Sequence, residues 1–138
     1  MAGTFAPTKA IWSIDTRTAG YRVVAENSQN IRVECRVGGS DLNPYLALAA
    51  QLAAGLKGIE DHLTLEAEFC GDAYQADAAR AIPASLREAT LALDGSDMLR
   101  TAMGDAVIDH YVRAARWEQE DFDNKVTDYE VRRGFERA

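Results

Sequence analysis

The segment Arg32-Val33-Glu34-Cys35-Arg36 sets a carboxylate between two arginines at alternate positions. In an extended chain alternate side chains share a face, so the three charged groups would project together. Such a face can hold a metal ion beside phosphate groups. Guanidinium forks neutralise and grip phosphate or carboxylate oxygens. A carboxylate oxygen suits a hard cation such as Mg²⁺, which takes its remaining ligands from water and substrate phosphates. On spacing alone, a solvated strand face with cross-strand ion pairs is the better reading of the same pattern.

The elements that must position these groups are legible. Ala10–Ile14, Gly20–Ala25 and Ile31–Val37 are rich in β-branched and aromatic residues and are separated by turn-like stretches, which predicts three strands. In the third, Ile31, Val33, Cys35 and Val37 alternate with Arg32, Glu34 and Arg36, one set for a core and one for the opposite face. Helices follow. Asn43-Pro44 supplies a cap and a first-turn proline. Tyr45, Ala49, Leu52, Leu56, Ile59 and Leu63 then recur at spacings of four and three, which predicts a buried stripe. Ala47, Ala50, Ala53, Ala54, Gly55 and Gly58 keep that helix thin enough for close backbone approach.

Residues 66–82 show no period and read as a loop. Ser85 and Glu88 form a capping-box pattern for a short helix, and Ser96 caps another that Gly104 ends. A long helix is expected from about Asp105 to Lys125, burying Val107, Tyr111, Ala114 and Phe122. Thr127 and Glu130 cap a last one, with Val131 and Phe135 on one side. The expected fold class is α+β: short antiparallel strands at the N-terminus, about residues 10–37, then a helical part, about residues 44–137. Three short strands followed only by helices make a poor self-contained core. The chain therefore reads as part of a larger α+β body.

Composition narrows the function classes. The 138 residues are 47% hydrophobic and 27% charged, the balance of an ordinary globular domain and not of a disordered chain. No apolar run approaches the roughly 20 residues of a membrane span, and the first residues lack a secretory pattern, so a cytoplasmic protein without membrane contacts is expected. The net charge of −7 disfavours nucleic-acid binding. Yet Lys9, Arg17, Arg22, Arg32 and Arg36 outnumber Asp15, Glu26 and Glu34 in the first quarter, a local bias that suits a small anion. Cys35 and Cys70 are too few for a disulfide framework or a zinc site and are expected to be small buried hydrophobes. His62 and His110 have no ligand-like neighbours at helical spacing and read as structural or surface groups.

The run Arg32-Val33-Glu34-Cys35-Arg36, followed by Gly39-Ser40-Asp41-Leu42-Asn43-Pro44-Tyr45-Leu46-Ala47, closely resembles the glutamine synthetase stretch R-I-E-x-R…D-x-N-P-Y-L-A. Upstream, Ala6-Pro7 and Asp15-Thr16-Arg17-Thr18-Ala19-Gly20-Tyr21-Arg22 resemble the family's A-P and D-N-R-T-x-x-x-R segments. Downstream, Ala54-Gly55-Leu56-Lys57-Gly58-Ile59, Pro83-Ala84-Ser85-Leu86 and Val126-Thr127-Asp128-Tyr129-Glu130 are similar to family segments in the same order.

The resemblance implies the C-terminal portion of a glutamine synthetase catalytic domain over residues 1–138. It implies Glu34 as a ligand of the Mg²⁺ or Mn²⁺ that bridges ATP phosphates. Arg17 and Arg36 would hold substrate glutamate and the phosphoryl group in transit, as catalytic and substrate-binding residues. Arg22 and Arg32 would contact ATP phosphates. Glutamate and ammonia or a small amine would be the substrates, and the intact family forms homo-oligomeric rings. A non-catalytic module derived from such an enzyme is the alternative.

Three departures qualify the match. The family's other metal-binding glutamates and histidine have no counterpart here. Thr16 replaces the asparagine of D-N-R. Thr4-Phe5-Ala6-Pro7 stands where ammonia-using members have Y-E-A-P. Phe5 cannot deprotonate ammonium, and the change is seen in relatives that join glutamate to organic amines. Tyr74 lies near the site of a regulatory nucleotidylated tyrosine in some bacterial members. The sequence after it matches poorly, so an ordinary loop tyrosine is expected.

Overall fold

A computed structural model describes residues 6–137, which fall into two compact units, one ending at Ala84 and the other beginning at Ser85. Thr4 and Phe5 lie outside the described residues.

In the first unit, β1 (Trp12–Ile14), β2 (Tyr21–Val24) and β3 (Arg32–Cys35) form a sheet in that order. β2 and β3 are antiparallel, with Arg22 opposite Glu34 and Val23 opposite Val33. β1 corrects the antiparallel expectation: it runs parallel to β2, with Ser13 opposite Arg22. Parallel neighbours normally need a long crossover. Here β1 rises only about 10 Å, so residues 15–20 suffice to carry the chain back to its start. Gly20 is required in that return, because a Cβ there would stand 2.7 Å from the Lys9 carbonyl oxygen.

Strand pairing leaves Trp12, Tyr21, Val23, Val33 and Cys35 on one face and Ser13, Arg22, Arg32 and Glu34 on the other. The outer edge of β1 is covered by an aperiodic segment: Phe69 N donates to Trp12 O at 3.2 Å, and Ile14 N donates to Glu68 Oε1 at 3.0 Å. Within it, a 3₁₀ turn at Ala73–Gln75 is capped by Asp72. Ala73 is fully buried, and its N–H donates to Thr18 Oγ1 at 3.0 Å, pinning the loop that carries Arg17.

Helix α1 (Pro44–Glu60) starts as the sequence dictates, with the Asn43 side chain accepting from the Tyr45 and Leu46 amides. It ends in a Schellman pair, His62 N to Ile59 O at 3.2 Å and Leu63 N to Gly58 O at 3.0 Å, with His62 in the left-handed region at φ 51. His62 is thus a structural residue. The buried stripe, however, is not buried: Tyr45 is 84% and Ile59 74% exposed, and Leu52, Leu56 and Leu63 are exposed too. Among the described residues no helix or strand packs closely along α1, so its apolar periodicity has no partner surface. Nor does Gly55 serve close packing, since no atom lies within 4 Å of a Cβ built there.

The second unit contains α2 (Leu86–Asp94), α3 (Asp97–Met103), α4 (Asp105–Asp123) and α5 (Asp128–Glu136). Ser85, Ser96 and Thr127 cap as expected, and Thr127 and Glu130 complete a reciprocal capping box. Gly104, at φ 87, ends α3. On α4 the inward face is one residue round from the expected one. Ile108 and Val112 are buried, Val107 is half-buried, and Tyr111, Ala114 and Phe122 are exposed. Both α2 and α3 pack on the Ile108 side, and that choice of partner overrides the hydrophobic pattern. Val131 and Phe135 share a side of α5 that is exposed. No helix among the described residues is long and apolar enough to cross a membrane.

Candidate functional site

The charged face of the sheet gathers most of the residues singled out above. Arg22 Nη1 donates to Glu34 Oε2 at 3.2 Å, and Arg36 Nη1 lies 3.7 Å from the same oxygen. Arg36 Nε donates to the Arg17 carbonyl at 3.1 Å, which ties the end of β3 to the loop after β1. The antiparallel register causes this arrangement, because it sets Arg22 directly opposite Glu34. Arg32 shares the face but stays apart; its Nη1 turns back to Asn30 O at 3.4 Å.

Asp15 joins the group without having been singled out. Its Oδ1 accepts from Arg22 Nη2 at 2.8 Å, so Arg22 is clamped between two carboxylates. The available signal was an acidic residue in the turn before Arg17, which sequence spacing could not aim at Arg22. Hydrogen bonding to Asp15 chiefly, with Glu34 adding, raises the Arg22 pKa and keeps the guanidinium charged. The Arg22 side chain is only 17% exposed, against 33% for Glu34. Its Nε is buried and has no hydrogen-bond partner among the described residues, which is unusual for a buried polar atom.

The arrangement can bind an oxyanion through its guanidinium groups. By itself it does not complete a metal centre among the described residues. Glu34 Oε2 already faces two guanidinium groups, and the described residues contain no group of three or more His, Cys, Asp or Glu side chains placed to hold a metal ion. One carboxylate is at most a share of such a site.

A groove in this unit lies on the opposite, apolar side of the sheet. It encloses about 960 Å³ and is lined by Trp12, Tyr21, Val23 and Val33 from the strands and by Gly58 and Ile59 from α1. It holds none of the arginines from the charged face. Cys35 and Cys70 are both exposed thiols, contrary to expectation. Cys35 lies on the open apolar face of β3, and Cys70 lies in the segment before the 3₁₀ turn. Tyr74 donates its hydroxyl to the Ala6 carbonyl at 2.9 Å, a loop tether consistent with its reading as a loop tyrosine.

Comparison with known proteins agrees with this architecture. The model of the glutamine synthetase catalytic domain matches residues 1–134. Gamma-glutamylethanolamide synthetase GlnA4 of Streptomyces coelicolor is 47% identical over 135 residues, 98% of this chain and 29% of that enzyme. Glutamate–isopropylamine ligase of a Pseudomonas species is 36% identical over 124 residues, 88% of this chain and 27% of that enzyme. A solved structure described as a GmaS/ADP complex superposes with a TM-score of 0.81 at 28% identity, covering 96% of this chain and 30% of its own. The chain thus spans about 30% of the length of these relatives. With the motif residues, the sheet register and these matches in agreement, the chain belongs to the glutamine synthetase family.

Proposed function

We propose that this chain supplies the arginine-bearing wall of an ATP-dependent ligase that joins the γ-carboxyl of glutamate to an organic amine. The observation that carries the reading is the packing of Arg22, Glu34 and Arg36 into one ion-pair cluster beside the Arg17 loop. The names of its relatives support an amine acceptor, since two of them join glutamate to ethanolamine or isopropylamine. Phe5, in place of a glutamate, supports the same acceptor class, because an apolar side chain suits an organic amine better than ammonium.

In the proposed reaction a γ-carboxylate oxygen of glutamate attacks the γ-phosphorus of ATP and ADP departs. The amine nitrogen then attacks the γ-carbonyl carbon, phosphate leaves with the C–O bond's electrons, and the nitrogen loses a proton. Arg17 and Arg36 hold glutamate and the moving phosphoryl group, while Arg22 and Arg32 contact the ATP phosphates. Their work is positioning and charge neutralisation, the main source of catalysis in phosphoryl transfer. Glu34 keeps Arg22 and Arg36 together and would offer a carboxylate oxygen to the Mg²⁺ that accompanies the ATP phosphates.

Phosphate release by the purified chain tests this, with ATP, glutamate and Mg²⁺ and with no amine, ammonia or ethanolamine. Ethanolamine-dependent release that exceeds release with ammonia and disappears in Glu34→Ala is the expected result. No release in any arm would sink autonomous catalysis. It would favour the second reading, a non-catalytic module of the same family, which draws on the lack of a metal-holding cluster among the described residues.

A further inference from the structure

We propose that Asp15 is a positioning residue that aims Arg22 at the phosphates of a bound nucleoside diphosphate, a role that rests on the reading of Arg22 given above. The turn after β1 is built to present this carboxylate. Asp15 itself adopts φ 56, in the left-handed region, and its N–H donates to Val23 O at 3.0 Å. Ser13 Oγ donates to Thr16 Oγ1 at 3.0 Å, and Thr16 Oγ1 donates to Ile14 O at 3.3 Å, which closes the turn around Asp15.

Held there, Asp15 Oδ1 takes the Nη2 corner of Arg22 at 2.8 Å, a shorter contact than the 3.2 Å from Nη1 to Glu34. The third corner, Nε, has no partner among the described residues. Two carboxylates therefore fix the plane of the guanidinium. Glu34 Oε2 also faces Arg36 at 3.7 Å, so Glu34 is shared and Asp15 serves Arg22 alone among the ion pairs of this face. Without Asp15 the guanidinium keeps its charge but loses its aim. The effect of a planar fork on phosphate depends on that aim.

The left-handed backbone selects the variants. Asparagine tolerates φ above zero better than most residues, so Asp15→Asn removes the charge without forcing the turn, and Asp15→Glu restores a carboxylate. The experiment titrates ADP, with Mg²⁺ present, into the full chain labelled with ¹⁵N-arginine. It reads both the dissociation constant and the water-exchange rate of the Arg22 Nε–H. Asp15→Asn is expected to weaken ADP binding roughly tenfold and to speed that exchange roughly fivefold or more, with Asp15→Glu recovering most of both.

Equal ADP affinity in Asp15→Asn and the unaltered chain would overturn the proposal while leaving the functional reading intact. Weaker binding with an unchanged Arg22 exchange rate would also overturn it, because Asp15 would then act by another route. Failure of the unaltered chain to bind ADP would overturn the functional reading, and the positioning role with it.

Discussion

Arg36 reaches the Arg17 carbonyl through Nε at 3.1 Å and Glu34 through Nη1 at 3.7 Å. A lysine carries the same charge but has one nitrogen and no fork. Arg36→Lys is therefore expected to lower kcat/KM for glutamate by roughly 10-fold or more while leaving the melting transition nearly unchanged. Equal losses in Arg36→Lys and an exposed-surface control would contradict that. Gly20 makes a second test at this scale. A methyl group there meets Lys9 O at 2.7 Å, and backbone cannot swing aside as a side chain can. Gly20→Ala is expected to cost about 1–3 kcal/mol in urea denaturation.

These residues also show how far the site was legible. Alternation along Arg32–Arg36 placed Glu34 and both flanking arginines on one face, because strand geometry has a fixed period of two. The cross-strand partner of Glu34 was not legible, since register depends on where the turns fall. Asp15 was missed for that reason.

At the scale of elements, helix starts were legible and helix faces were not. Asn43, Ser85, Ser96 and Thr127 cap as read, because capping is settled within a few residues of chain. Which side of α4 turns inward is settled by α2 and α3, and so it came out at Ile108 and Val112. His62 illustrates a local rule that the sequence satisfies poorly, with an L-residue at φ 51 where glycine is favoured. His62→Gly is expected to stabilise the first unit by up to about 1 kcal/mol, seen as a higher urea midpoint with an unchanged slope.

The helical unit carries a pH prediction. Asp94 accepts from Arg100 Nη2 at 2.5 Å and Arg116 Nη2 at 2.6 Å. Those guanidinium groups, Arg100 first, hold its carboxyl below the ordinary 3.8. Hydrogen bonds from the Thr127 amide and then its hydroxyl hold Glu130 below its ordinary 4.5. A depressed carboxyl stabilises the fold fully above its unfolded value and loses that contribution as pH falls through the folded value. The helical circular-dichroism signal is thus expected to hold down to about pH 4.5 and to fall below it. Asp94→Asn should be less stable near neutrality, with a shallower acid transition. An unchanged acid transition in Asp94→Asn would remove this pair of contacts from the account.

At the scale of the whole molecule, few of the described residues are buried, and most of those are small. Ser13, Ala19, Ala73 and Ala76 serve the first unit, and Thr90, Ile108 and Val112 serve the second. A buried isoleucine or valine side chain contributes about 1.5–3 kcal/mol, whereas ordering each residue costs about 1–2 kcal/mol. Cores of this kind offset little of that cost. Meanwhile Leu48, Leu52, Leu56 and Ile59 of α1 and Val33 of the sheet stand in solvent. The sequence marked Leu52, Leu56, Ile59 and Val33 as core residues because periodicity records that a face must be covered, not what covers it. The chain alone is expected to bind a hydrophobic-surface dye, to melt over a broad range below about 45 °C, and to associate as its concentration rises. Replacing Leu52 and Leu56 together by glutamate should cut dye binding and association, because both side chains already face water in the folded chain. A sharp melt without dye binding, from a particle that sedimentation shows to be monomeric, would mean that these faces are covered within the chain and that the helix stripe is a core after all.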